Sequence, residues 1–176
     1  MGIIDRMKKI SRANKTAKMN VEDNSITVLN MRIGDIVSIE DVDYEVKGLL
    51  QFNDHGWRWK EYKLKDSRKT YWLSVEEDDD IEICLYQKVV AIITEPPRVY
   101  EYKGITYYMQ EGSDALIENA EGDVNVVKGE EVDYYEYCDE DGENLLSVEI
   151  WNGQVEMAIG RKVEDYNVEI YPNENR

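Results

Sequence analysis

Proline, cysteine, histidine and phenylalanine are all scarce in this chain of 176 residues, at three, two, one and one. Two cysteines, Cys84 and Cys138, are too few for a disulfide framework or a cysteine-based zinc site, and both are expected to be reduced and half-buried. The lone histidine, His55, sits in an Asp-His-Gly turn with no Ser-His-Asp or Cys-His constellation to join. One histidine and two distant cysteines also argue against a metal centre. No apolar run approaches the ~20 residues that span a bilayer, and no continuous apolar core follows the basic N-terminus, as a signal peptide requires. The expected location is the cytoplasm, including the inner face of the membrane as a peripheral site.

Positive charge is short as well. Lys and Arg number 21 against 38 Asp and Glu, for a net charge of −17. The deficit is uneven, because residues 1–20 hold six Lys/Arg against Asp5, a net of +5 that leaves −22 on the rest. A body that acidic repels phosphate backbones, so nucleic acid is not an expected partner. What the chain does have is a hydrophobic share of 42%, 13 tyrosines and four tryptophans, which speaks against disorder and for a proper core.

Ile3, Ile4, Met7 and Ile10 fall on one stripe at helical spacing, while Lys8, Lys9, Arg12 and Lys15 point away from it. Residues 1–23 therefore read as a short basic amphipathic helix or tail. It either docks on the acidic body, lies on an anionic membrane, or pairs with a partner's helix. Its opening residues resemble the first helix of phage-shock protein A relatives, which bind membranes through it, although here Asp5 follows Ile4.

From residue 24 the period becomes two. "DIVSIE" (35–40), "DYEVKGLLQF" (43–52), "IEICLY" (81–86), "LLSVEI" (145–150) and "QVEMAI" (154–159) alternate as strands, broken at Asp54-His55-Gly56, Glu121-Gly122-Asp123, Asp141-Gly142 and Asn152-Gly153. Asn-Gly between alternating runs signals a type I′ hairpin. The chain also echoes itself: residues 61–89 align with 136–163, matching Glu61-Tyr62 to Glu136-Tyr137 and Leu73-Ser74-Val75-Glu76 to Leu146-Ser147-Val148-Glu149. The expected fold is mainly antiparallel β, with two related meander halves (24–93 and 99–176) sharing one core across a Pro-containing joint at 94–98.

Gly34-Asp35-Ile36-Val37, Tyr44-x-Val46-x-Gly48, Trp59-x-Glu61-Tyr62, Trp72-Leu73-Ser74-Val75 and Leu146-Ser147-Val148-Glu149 together resemble the bacterial domain-of-unknown-function 4178 family over residues 29–171. The resemblance implies a cytoplasmic, β-rich domain with no agreed catalytic residues, associated with membrane-stress and polyamine-related gene neighbourhoods.

Trp57, Trp59 and Glu61 share one face of a strand, and Tyr62 and Leu64 share the other. If one face is core, the other is exposed and suits a protein partner. Trp59 and Trp72 read as sheet cover, and Trp57, beside the turn, as the better contact. Glu61 and Glu136 take equivalent places and would form a paired-carboxylate site given a cleft and raised proton affinity. "EEDDD" (76–80) and "DEDGEN" (139–144) miss the EF-hand spacing and read as solubilising hairpin tips. No cofactor, metal or catalytic residue is assigned. The leading expectation is a non-enzymatic adaptor with a protein partner and weak peripheral membrane contact through residues 1–20. The alternatives are an acidic inhibitor or immunity-type protein masking a basic partner, and a paired-carboxylate enzyme. Monomer and dimer both stay open.

Overall fold

Asn152 and Gly153 turn the chain with φ of 50° and 82°, and Trp151 pairs with Gln154 across them, as a type I′ hairpin requires. The same left-handed pairs recur at Glu40-Asp41, His55-Gly56 and Lys103-Gly104. These turns organise a chain that is almost entirely strand. The computed structural model describes residues 26–174; the amphipathic helix expected over 1–23 lies outside the described residues.

Eleven antiparallel strands run in order: β1 (Ile36–Ile39), β2 (Val42–Asp54), β3 (Trp57–Lys65), β4 (Thr70–Glu77), β5 (Ile81–Val89), β6 (Val99–Tyr102), β7 (Ile105–Gly122), β8 (Glu131–Cys138), β9 (Asn144–Trp151), β10 (Gln154–Lys162) and β11 (Val168–Tyr171). Hairpins link β2 through β5 and β7 through β10. The two sets join twice, β5 to β10 (Val89↔Met157 to Cys84↔Lys162) and β2 to β7 (Gly48↔Gly122 to Asn53↔Leu116). Eight strands thus close into a barrel, with β1 and β11 flanking β2, and β6 flanking β7. Antiparallel β was the expectation, and β2–β5 fall within residues 24–93 while β7–β10 fall within 99–176. Pairing at both seams turns the two sets into a single closed wall, which leaves no free barrel edge.

Closure gives each strand an inner and an outer face. Outside, Val46, Tyr62, Leu64, Leu73 and Val75 pack beneath β1 and the segment before it, through Val28, Met31, Val37 and Ile39. On the opposite wall, Tyr107, Tyr137, Leu146, Val148 and Met157 lie beneath residues 89–93 and β6. Tyr62, Leu64, Leu73 and Val148 are all 0% exposed. Each such side chain contributes about 2 kcal/mol of transfer free energy. Both faces of β3 are therefore covered, not one covered and one exposed as alternation alone suggested. Asp35, the fully buried polar residue of the motif Gly34-Asp35-Ile36-Val37, secures the first cover. Its carboxylate accepts from Arg32 N (2.7 Å) and Asn173 N (3.0 Å), tying both ends of the described chain together.

Candidate functional site

Inside, the barrel is partly apolar and partly hollow. Leu50, Phe52, Ala115, Ile117 and Val132 fill one region, with Trp59, Trp72, Tyr134 and Trp151 packed against them. Phe52 stacks on Trp59 at 4.8 Å between centroids, and Tyr134 meets Trp59 edge-on at 5.3 Å. Beside this aromatic wall lies a cavity of about 720 Å³, within the range of small-molecule sites. Its lining takes five glutamates (Glu61, Glu130, Glu136, Glu149, Glu156) against two lysines (Lys63, Lys88), so its charge is strongly negative if all ionise.

The strand period puts these groups there. On β3, Trp59, Glu61 and Lys63 point inward while Tyr62 and Leu64 point out. Glu61 stands opposite Ser74 on β4, and Glu136 of β8 stands opposite Ser147 on β9; both serines line the cavity. Each of two carboxylates accepts from a tryptophan two residues away on its own strand. Trp59 Nε1 donates to Glu61 Oε1 (3.3 Å), and Trp151 Nε1 donates to Glu149 Oε2 (2.8 Å). Lys88 sits 5.6 Å from the Trp72 ring centroid and forms an ion pair with Glu156. Lys63 is engaged elsewhere, donating to Asp123 O (2.7 Å) and Asp123 Oδ2 (3.0 Å).

These carboxylates are half-buried in the barrel, and the cost of charging them there sets their proton affinity. Burial, then Glu149, pushes Glu61 up to about 8, with the Trp59 indole and Lys88 pulling back. Burial raises Glu149 too, opposed by Trp151 and Lys88. Glu136 is pushed up to about 8 by burial, then by Glu111, Glu76 and Glu82. Glu76 follows to about 7 through burial and Glu82. Glu136 differs from Glu61 and Glu149 in having no hydrogen-bond donor or cation paired with it among the described residues. Burial also drives the Cys84 thiol and Tyr86 hydroxyl well up, so neither serves as a ready nucleophile near neutral pH.

Tyr86 owes its place to a missing side chain. It is paired with Gly160 across β5 and β10, and a Cβ on Gly160 would run into the Tyr86 ring. Gly160→Ala is expected to cost about 1–3 kcal/mol by overpacking. In combination with Tyr86→Leu the cost should be less than additive, which thermal denaturation of the three variants checks.

The residues singled out by sequence thus separate. Trp59, Glu61, Trp72 and Glu136 line or border one interior, which brings the expected carboxylate pair into one cavity with raised proton affinity. Trp57 shares their strand face but is not a lining residue; its indole bonds to Glu76. His55 is exposed and bonded to Asp54 at 2.5 Å, which raises its proton affinity. Ile3 to Lys15 lie outside the described residues. Glu149, Lys88 and Tyr86 escaped the sequence reading. The spacing Glu149-x-Trp151 reverses Trp59-x-Glu61, and that was a signal available for the first of them.

Residues 32–165 match the family described as "Domain of unknown function (DUF4178)". The chain belongs to this family. The DUF4178 match begins after the N-terminal segment and leaves its likeness to phage-shock protein A unsupported. Over 147 residues the chain is 31% identical to an uncharacterized protein of Mycobacterium tuberculosis, spanning 79% of this chain and 70% of the relative. An uncharacterized protein of Mycobacterium bovis gives the same figures. An uncharacterized protein of Aquifex aeolicus is 24% identical over 184 residues, covering 96% of this chain and 97% of the relative. No solved structure matches the chain. Among the described residues no helix is long and apolar enough to cross a membrane.

Proposed function

We propose that this DUF4178 chain is a ligand-binding barrel that takes a small organic molecule into its interior, without chemistry on it. The observation that carries the reading is the cavity of about 720 Å³, lined by seven of the barrel strands and by Val124, Asn125 and Val126 after β7, and walled by tryptophans and carboxylates. Small barrels fill their interior with side chains or use it to hold one ligand. Here the fold draws apolar packing from two outer clusters, which relieves the interior of part of that duty. Several half-buried carboxyl groups gathered on one cavity wall, where their proton affinity is raised, are hard to explain by folding alone.

A cavity-filling substitution tests this. Ser147 faces the cavity from β9, and Ser147→Phe should leave the fold intact while abolishing the thermal shifts that small molecules give the wild-type chain. If no compound in a broad small-molecule screen shifts wild type more than Ser147→Phe, the binding reading fails.

The adaptor reading is compatible with a binding barrel, since it rests on the basic residues 1–20 and their charge contrast with the body. A protein that pellets with anionic liposomes equally well with and without residues 1–20 would remove the tether. The paired-carboxylate enzyme is a second reading, favoured by the placement of Glu61 and Glu136 in one cavity and by their raised proton affinity. Turnover lost on Glu136→Gln, with ligand binding retained, would select it over simple binding.

A further inference from the structure

Between β5 and β6 the chain crosses the outer wall as an extended strap, residues 90–97. Its inward side chains, Ala91 and Ile93, pack with Val89 on the cluster around Tyr137 and Met157. Its outward ones stay in water: Val90 is 81% exposed and Ile92 73%. None of residues 90–97 makes a hydrogen bond among the described residues, so the backbone groups of an alternating, β-branched run stand open along its edges. We infer that a second copy of this chain occupies this edge, the two straps pairing antiparallel about a two-fold axis through Ala91.

The cover on the other wall shows what such a segment looks like when covering is its only duty. Residues 26–32 turn Val28 and Met31 inward in the same way, but their exposed positions, Thr27, Asn30 and Arg32, are polar. They are also bonded. Asn30 N donates to Thr27 O (3.0 Å), Thr27 N to Asn30 Oδ1 (2.7 Å) and Arg32 N to Asp35 Oδ2 (2.7 Å). The strap has neither feature. Nor is it guarded as the two ends of the strand order are. β6 and β11 have four residues each and carry Glu101 and Glu169, the short charged edges that deter pairing.

Charge and symmetry choose the occupant. Two copies of net charge −17 repel, and residues 89–94, which carry no charge, let them touch without opposing like charges. The run is also self-complementary. Directly opposite residues in an antiparallel pair share a face, so an axis through Ala91 sets Val90 against Ile92 of the second copy and Val89 against Ile93. Moving the axis to Ile92 would set Val89 against Glu95. Pro96 and Pro97 lack the N–H that a longer ladder needs, which limits pairing to about six residues. So short an interface falls below the ~1,200 Å² of stable complexes and gives a transient dimer, with a dissociation constant on the order of 10–100 µM. The surface lies on the outer wall, and the pairing does not depend on whether the cavity takes a ligand.

Sedimentation equilibrium of the full chain from about 5 to 500 µM, spanning that constant, tests this at two salt concentrations. Wild type should pass from monomer toward dimer, and more readily at ~0.5 M than at ~0.05 M salt, because screening removes the repulsion between two acidic bodies. Ile92→Glu and Val90→Glu should each weaken the dimer at least about tenfold by bringing like charges onto the pair. Val127→Glu, the same charge on an exposed valine of the β7–β8 loop, should leave it unchanged. Both strap residues face solvent, so the variants should keep the wild-type Tm. A mixture of Val90→Cys and Ile92→Cys chains should cross-link under mild oxidation faster than either variant alone, as the register requires. A monomer at every concentration and both salts overturns the proposal. A dimer that survives both glutamate substitutions overturns the surface, and cross-linking no faster in the mixture overturns the axis. A dimer that dissolves as salt rises overturns strap pairing in favour of residues 1–20 of one copy resting on the acidic body of another.

Discussion

Replacing Glu61 and Glu136 together by glutamine is expected to stabilise the protein at pH 8 by about 3 kcal/mol, or roughly 6–12 °C in Tm for a domain of this size. That is about a third of the ~9 kcal/mol that the full shifts would give, because both groups are half-buried and solvent screens them. Both carboxyl groups have folded-state values near 8, against an ordinary glutamate value of 4.5. Between those limits the folded chain holds protons that the unfolded chain has released. Stability from these groups is therefore fully present below about pH 4.5 and declines as pH rises through about 8. The groups that set this behaviour come from several strands: Glu149, Trp59, Lys88 and Glu136 act on Glu61, and Glu111, Glu76 and Glu82 act on Glu136. Glutamine keeps the shape and most of the hydrogen-bonding capacity but cannot ionise. Wild type should lose Tm steadily from pH 5 to pH 8.5, and the double variant should be flatter. Melting curves that run parallel across that window would show that the two carboxyl groups are not held in an enclosed interior.

The same two residues mark how far sequence carries. The tight hairpins at Glu40-Asp41 and Lys103-Gly104 were not named from sequence, but those at His55-Gly56 and Asn152-Gly153 were legible, because a type I′ turn needs residues that tolerate positive φ. So was the facing of Glu61 with Trp59, because the strand period is two. What alternation does not reveal is which face is inside. That depends on the seam between β2 and β7, where Leu50 meets Ala120 some seventy positions away with no local signal for the pairing. The outer face of β3 is as well covered as the inner one, so hydrophobicity misidentifies the interior. Tyr62 and Leu64 look like the centre of the barrel and are instead the floor of an outer cluster. Glu136 stood out in the sequence only through its equivalence to Glu61 in the repeat. Its meeting with Glu61 in one cavity depends on the closed wall, which the repeat alone does not reveal.

The seam itself sets the second large effect. Gly122 is expected to be the least replaceable glycine among the described residues, with Gly122→Ala costing about 3 kcal/mol or more. It takes φ of 75°, and a Cβ there would strike Lys47 O, the Gly48 Cα and Ile33 Cδ1. Two of these obstacles are backbone and cannot rotate away. Gly122 also pairs with Gly48 where β7 first reaches β2, and Gly48 itself has Glu121 O 3.2 Å from the position of an added Cβ. Two strands exchange partners at this point: β2 leaves β1 for β7, and β7 ends against it. A wedge here opens the barrel, exposing the carboxylates to water as well as breaking the ladder. Gly129 is the internal control, because it has φ of 94° but no atom within 4 Å of an added Cβ. Gly129→Ala should therefore cost only the conformational penalty, about 1 kcal/mol. The two variants differ further in their pH dependence. Opening the seam lets solvent reach Glu61 and Glu136, so Gly122→Ala should flatten the stability profile between pH 5 and pH 8.5, while Gly129→Ala should shift it without changing its slope. Equal losses for the two glycines, with the same slope, would mean that the close approach of β2 and β7 does not hold the barrel shut.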